Sequence, residues 1–327
     1  MKNIIVIKTD GGNEIGLGHV YRSINLAKQL KNNNYKIIFL TKSSILRKII
    51  PLTFPIKKIN ENVKTLEKIL DEIKPKIIIL DKLYENSNEL KILNNKSQVL
   101  AIDYIGKNKF YLKNGINILY QKSGIRGKNS VSGFAFAILS NSIKIKKAIK
   151  ISKQVKKILV IQGGSDTPCN TPLIIDSLNS LQEKMKVDVI VGASFECWKK
   201  LDKSIKNSNH QIKLFHNIRN IGKIMEKNDM AITGGGMTSL ELCHLGIPSI
   251  IICGAPFEEE TASLLEKNGF GMNLGYMKKL SKEKIAVSVK ELMMDFKLRK
   301  GMNKIGQKLV DGDGSKRVAN EISRRIK

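Results

Sequence analysis

Short apolar runs alternate with amphipathic stretches along all 327 residues of the chain. "NIIVIK", "YKIIFLT", "PKIIILD", "QVLAID" and "INILY" are continuous rather than alternating, and predict strands buried on both faces, as in a parallel sheet. Between them, "YRSINLAKQLKNN", "SSILRKIIP" and "VKTLEKILDEI" carry apolar residues at helical spacing. The pattern restarts at "KKILVIQGG" and runs through "KVDVIVGA", "HQIKLFH", "DMAITGGG" and "PSIIICGA". Helices are predicted there at "NTPLIIDSLNSLQEK", "IRNIGKIMEKN", "MTSLELCHLG", "EEETASLLEKNG" and "SKEKIAVSVKELMMD". Alternation on this scale predicts an α/β protein with two doubly wound domains. The lysine-rich segment 140–157 has no strong period and reads as the linker. The domains are therefore set at residues 1–145 and 155–327, with the last helix free to pack back on the first. Two such domains are expected to leave a cleft at the carboxyl ends of their strands.

Composition narrows this picture only a little. With 42% hydrophobic residues the chain can build two cores, and no apolar run reaches membrane-spanning length. Met1 leads straight into "NIIVI", without a basic leader and cleavage site, so a cytoplasmic protein is expected. The four cysteines are dispersed without a C-x-x-C pair and read as reduced thiols, Cys243 and Cys253 being buried. A formal charge of +28 raises the question of nucleic acid. The lysines are spread along the chain rather than gathered, so no specific nucleic-acid partner is expected. Such a charge favours a diphosphate ligand and allows weak association with an anionic surface, without insertion.

Three glycine-bearing turns carry the candidate chemistry. In "IGLGHVYRSINLAKQL" Gly16 and Gly18 precede His19 at the mouth of a helix. Tyr21 stands where G-x-G-x-x-G needs its last glycine, so the dinucleotide fingerprint fails. The positive end of the helix dipole favours a neutral imidazole at His19, which could act as a general base; a packed or capping histidine is the alternative. In "QGGSDTPCNT" Gly163, Gly164 and Ser165 fit a phosphate contact or an ordinary turn, with Ser165, Asp166 or Asn170 as the helix cap. In "ITGGGMTSLELCHLGIPSIII" a triple glycine ends a strand, and Gly236, Met237 and Thr238 open a helix as an anion cradle. Glu241 could accept from both hydroxyls of a ribose, although T-x-x-E is also a capping box. Asp10, Asp81 and Asp103 stand at strand ends. No H-E-x-x-H or Cys/His spacing points to a metal, and no G-x-S-x-G to a serine hydrolase.

Together with "NIGKIMEKNDM" and "TASLLEKNGFGMNLG", these segments resemble the PseG/SpsG family of UDP-sugar hydrolases, relatives of the MurG glycosyltransferase. The resemblance covers essentially the whole chain. It implies a GT-B fold of two Rossmann-like domains, no cofactor and no metal. It further implies that His19 activates water against the anomeric carbon of UDP-2,4-diacetamido-2,4,6-trideoxy-β-L-altropyranose, on the way to pseudaminic acid. Glu241 would take the ribose, Gly236, Met237 and Thr238 the diphosphate, and the backbone at Asn220 and Ile221 the uracil. Three departures bear on the sugar. Phe257 and Glu258 replace the family's Asn-Gln pair, Tyr84 is displaced by one residue from the family's D-H-Y, and an arginine is absent from "GFAFAILSNS". Two rival functions are a MurG-like glycosyltransferase and a non-catalytic nucleotide-sugar-binding protein. The oligomeric state is left open.

Overall fold

The computed structural model describes residues 3–12, 16–140, 142–143, 149–166, 168–218 and 220–326. The chain divides into two compact units, Met1–Ser140 with Asp313–Lys327, and Asn141–Gly312. The division falls at the start of the polar segment 140–157, of which residues 141 and 144–148 lie outside the described residues. Residues 13–15, in the loop before His19, lie outside them too.

In the first unit, β1 (Ile4–Thr9), β2 (Lys36–Thr41), β3 (Ile56–Lys58), β4 (Ile77–Asp81), β5 (Gln98–Ile102), β6 (Asn114–Asn117) and β7 (Val131–Ser132) form one parallel sheet. Its order is β3-β2-β1-β4-β5-β6-β7, so chain direction across the sheet reverses between β1 and β4. Such a reversal is where open α/β sheets commonly take their ligands. Helices α1 (Gly18–Asn32), α2 (Leu46–Ile49), α3 (Val63–Ile73) and α4 (Ser87–Lys96) accompany the strands. Asn62 and Asn86 cap α3 and α4 by accepting from main-chain N–H groups. The last helix of the chain, Gly314–Ile326, belongs to this unit and packs on α1.

Two expectations are corrected here. The helix expected over "SSILRKIIP" is a single turn, because Pro51 follows directly and cannot donate to a helical ladder. The strand expected over "INILY" ends at Asn117, because the Asp103 carboxylate takes the next two main-chain N–H groups, of Ile118 and Leu119, at 2.6 and 2.9 Å.

The second unit repeats the plan. Its strands are β8 (Lys157–Ile161), β9 (Lys186–Val191), β10 (Gln211–His216), β11 (Met230–Thr233), β12 (Ser249–Cys253) and β13 (Met272–Tyr276). They form a parallel sheet in the order β10-β9-β8-β11-β12-β13, reversing between β8 and β11. Its helices are α5 (Asn170–Leu178), α6 (Trp198–Lys206), α7 (Gly222–Met225), α8 (Met237–Leu245), α9 (Glu259–Lys267), α10 (Lys282–Met294) and α11 (Phe296–Leu309); α12 is the last helix named above. "HQIKLFH" forms β10, but as an edge strand exposed along most of its length rather than a buried one.

Cys169 and Cys197 form a disulfide instead of the separate thiols expected. The loops that follow the paired strands β8 and β9 run together and bring the two Cα atoms to 5.9 Å, a spacing a disulfide spans. Cys243 and Cys253 are free and buried, as the apolar surroundings of their sequence predicted.

Candidate functional site

The first constellation lies at the β1/β4 reversal. Gly12 and Gly16 pair across the loop, with Gly12 N–H donating to the Gly16 carbonyl at 3.1 Å. Gly16 has φ of 70°, which a residue with a Cβ rarely adopts. Gly18 is exposed and begins α1, whose N-terminus has no side-chain cap, unlike α3 and α4. His19, Arg22 and Ser23 share one face of α1, at i, i+3 and i+4. All three reach Asp81, the last residue of β4. The His19 Nδ1 lies 2.8 Å from Asp81 Oδ1, and Ser23 Oγ donates to Oδ2 at 2.9 Å. Arg22 is buried and bridges Asp81 to Asp103.

This arrangement fixes the ring of His19. With Nδ1–H donating to the carboxylate, Nε2 is the acceptor of the neutral imidazole, and it has no protein partner among the described residues. The His19 side chain is 15% exposed, so the ring is held without being sealed in. Burial alone would raise the Asp81 carboxyl, but the Arg22 guanidinium and the His19 contact overcome it and hold the group far below the carboxylate range.

A second set of charges continues the crowding. Lys8 is fully buried on β1 between Glu85 and Glu89, and Lys42 reaches Glu89 at 2.6 Å. Asp10 is buried and saturated: Thr41 Oγ1 and the Lys42 N–H donate to one oxygen, and Lys82 pairs with the other at 2.8 Å. Burial would raise both acids, yet Lys82 and Lys8 bring Asp10 down to about 2, and Lys8 and Lys42 bring Glu89 down to about 2.

The second unit is built differently at the matching place, the β8/β11 reversal. After β8, Gly163 takes φ of 83°, and the Asp166 carboxylate caps α5 by accepting from the Asn170 and Thr171 N–H groups, both at 2.8 Å. Of the three capping residues the sequence allowed, Asp166 is the one used. Gly164 packs against Gly192, where a Cβ would strike the Gly164 backbone, and Ser165 is half-buried beside it. After β11, the glycines run into α8, whose N-cap is Gly236 and which no side chain caps. Thr238 therefore lies inside the helix, and the capping-box reading of Thr238 with Glu241 is overturned. Glu241 is half-buried and has no hydrogen-bond or ion-pair partner among the described residues. Burial pushes its carboxyl up to about 7.

Glu258 fills the glycine turn itself. Its Oε2 accepts from Gly254 N–H at 2.8 Å and from Gly235 N–H at 3.2 Å. Burial pushes this carboxyl up, against the pull of those N–H groups, and the Asp166 carboxylate adds to the rise.

Residues 158–318 match the glycosyltransferase family 28 C-terminal domain. An uncharacterized protein of Methanocaldococcus jannaschii is 30% identical over 85% of this chain, and the chain spans 59% of that protein's length. The spore coat polysaccharide biosynthesis protein SpsG of Bacillus subtilis is 25% identical, over 95% of each chain. The UDP-2,4-diacetamido-2,4,6-trideoxy-β-L-altropyranose hydrolase of Campylobacter jejuni is 24% identical, over 83% of this chain and 99% of that one. Among solved structures, MurG of Acinetobacter baumannii superposes with a TM-score of 0.74 at 13% identity, over 98% of this chain and 99% of that one. The chain has a GT-B fold of two Rossmann-like units.

Within this GT-B chain the residues singled out from the sequence fall into two groups, one in each unit. Asp10, Gly16, Gly18, His19 and Tyr84 lie at the first reversal or in the loop after β4, with Tyr84 54% exposed. Gly164, Ser165, Gly236, Met237, Thr238, Glu241, Phe257 and Glu258 lie in the loops and first helical turns after β8, β11 and β12. Asn220 is exposed and Ile221 half-buried, just before α7. His210 and His244 are structural: His210 bridges the Leu178 carbonyl and the Met185 N–H, and His244 donates to the Val310 carbonyl at 2.8 Å. Sequence reasoning missed Arg22, Lys8, Lys42, Lys82, Glu85 and Glu89. Only Arg22 had a signal, its i+3 spacing from His19 on the same helix face. Among the described residues, no group of three or more His, Cys, Asp or Glu is arranged to hold a metal.

Proposed function

We propose that the protein hydrolyses a UDP-activated deoxy amino sugar of the 2,4-diacetamido-2,4,6-trideoxyhexose type in surface-glycan biosynthesis. Water attacks the anomeric carbon, the bond from that carbon to the diphosphate oxygen breaks, and free sugar and UDP leave. His19 Nε2 takes the proton from the attacking water, and Asp81 holds the ring in the tautomer that allows it. In the second unit the uncapped start of α8 meets the charge that develops on the departing UDP. Thr238 adds a hydroxyl to that cradle, Glu241 accepts from the ribose hydroxyls, and the backbone at Asn220 and Ile221 reads the base. Gly164 and Ser165 contribute to the phosphate side, with Glu258 in the glycine turn, and Phe257 and Tyr84 to the sugar.

The observation that carries this reading is the His19–Asp81 pair: a ring fixed through one nitrogen, with the other left without a protein partner. The likeness to the Campylobacter jejuni hydrolase supports it. A transferase reading, with a sugar or lipid hydroxyl in place of water, is favoured by the family 28 match. Incubation with a panel of UDP-sugars, with and without acceptor lipids, separates the two when UDP release is followed by NMR. Release without acceptor supports hydrolysis, and release only with acceptor supports transfer. Binding without any release would leave a nucleotide-sugar-binding protein.

A further inference from the structure

The glycine turn after β11 already holds a carboxyl group. Glu258 reaches into it from the short 3-10 turn Pro256–Glu258, and its Oε2 takes the N–H groups of Gly235 and Gly254. The fit is close, because a Cβ at position 235 would lie 2.8 Å from the Glu258 Cβ. The same oxygen lies 3.7 Å from where a Cβ of Gly234 would stand, and Oε1 lies 3.8 Å from that of Gly236, so the carboxyl spans all three glycines. These are the groups that an incoming diphosphate would use.

The surroundings make this carboxylate a poor companion for a second anion. From the loop after β8 it is faced by Asp166, a further acid, and from the end of β8 by the neutral Gln162. From the end of β12 it is faced by Cys253, whose thiol burial and the nearby Glu258 both keep protonated. On its own side, Glu259 is turned away to accept from the Tyr276 N–H. Neither Glu258 nor Asp166 is paired with a lysine or arginine among the described residues.

We infer that a diphosphate ligand and the ionised Glu258 compete for the glycine turn, so that the ligand binds together with one proton, taken up by Glu258 from solvent. A protonated carboxyl no longer repels the phosphates and can donate its O–H to one of their oxygens. The alternative, two anions on one set of N–H groups with no cation between them, costs more than protonation of an acid that burial already disfavours ionising. This inference rests on the reading of the glycine turn as the diphosphate site.

The test compares the full chain with Glu258→Gln, whose amide oxygen can still accept from Gly235 and Gly254. UDP affinity is measured by calorimetry from pH 6 to pH 8.5, beside thermal melts that establish folding. The ratio of the two dissociation constants cancels the ionisation of UDP itself. It should rise with pH by up to about tenfold per unit, with Glu258→Gln the tighter binder at pH 8.5. Parallel affinity profiles would overturn the inference. Inorganic pyrophosphate is the second probe: a Glu258-dependent slope with pyrophosphate but no UDP binding would sustain the inference while removing the nucleotide reading. Absence of binding of either ligand to both folded proteins would overturn the two together.

Discussion

The two units place acids at the same point of the same topology and treat them in opposite ways. At the β1/β4 reversal, Asp10, Asp81 and Glu89 are each met by lysine or arginine, which hold the carboxyls below their ordinary range. At the β8/β11 reversal, among the described residues, Asp166, Glu241 and Glu258 meet no lysine or arginine, and burial pushes all three up. The first unit thus pairs its own acids, an arrangement that holds the His19 imidazole in one orientation. The second leaves its acids without a cationic partner among the described residues, the setting in which the proposed coupling of ligand and proton would operate.

The largest effect expected from breaking the first arrangement is on turnover. His19→Asn should lower UDP release by roughly 10²–10⁴-fold while changing UDP affinity little, as measured by stopped assays beside calorimetry. Asp81→Asn should cost about 3–5 kcal/mol in urea unfolding, because Arg22 and its neighbours then lose a buried partner. An unchanged midpoint would mean that the network is ornamental.

Acid should separate the units next. Asp10 and Glu89 have ordinary values of 3.8 and 4.5 and are drawn down to about 2. Their stabilisation is complete above the unfolded values and is lost as pH falls from about 4.5 to about 2, roughly 2–3 kcal/mol for each. Hydrogen exchange should show the first unit loosening over that interval. Glu241 has the opposite sign. Its folded value of about 7 lies above the ordinary 4.5, so stability falls as pH rises through that interval. Glu241→Gln should therefore stabilise the protein at pH 8 by about 2 kcal/mol after allowance for solvent screening, and leave it unchanged at pH 4. The same variant should bind UDP more weakly; tighter or equal binding would remove Glu241 from the ribose. The smallest effect is a null: EDTA should leave the rate of UDP release unchanged.

Much of the fold was legible because buried parallel strands are apolar on both faces and need no alternation to be seen. The short edges β3 and β7 were not, since two or three residues carry no pattern. Helix α4, "SNELKILNNK", was hidden by its polar face, and β13 by glycine within "MNLGY". The site divided in the same way. His19 and the glycine turns are local features, and their neighbours in the chain announce them. Lys8 sits in a strand that reads as core, and its partners Glu85 and Glu89 come from across the sheet. The pairing of Cys169 with Cys197 was misread because the proximity of the β8 and β9 loops is a property of the sheet. At Thr238 and Glu241 the spacing was right for a capping box, and a helix start placed at Met237 decided against it.

The order of residues by itself determined the alternation of strands and helices, the two-unit plan and the glycine turns. Each of these depends on contacts within one short segment, or on burial that any parallel sheet imposes. The charge states at the strand ends were decided only by tertiary structure. A carboxyl's ionisation depends on what lies within a few ångströms of it, and sheet order rather than chain order chooses those neighbours.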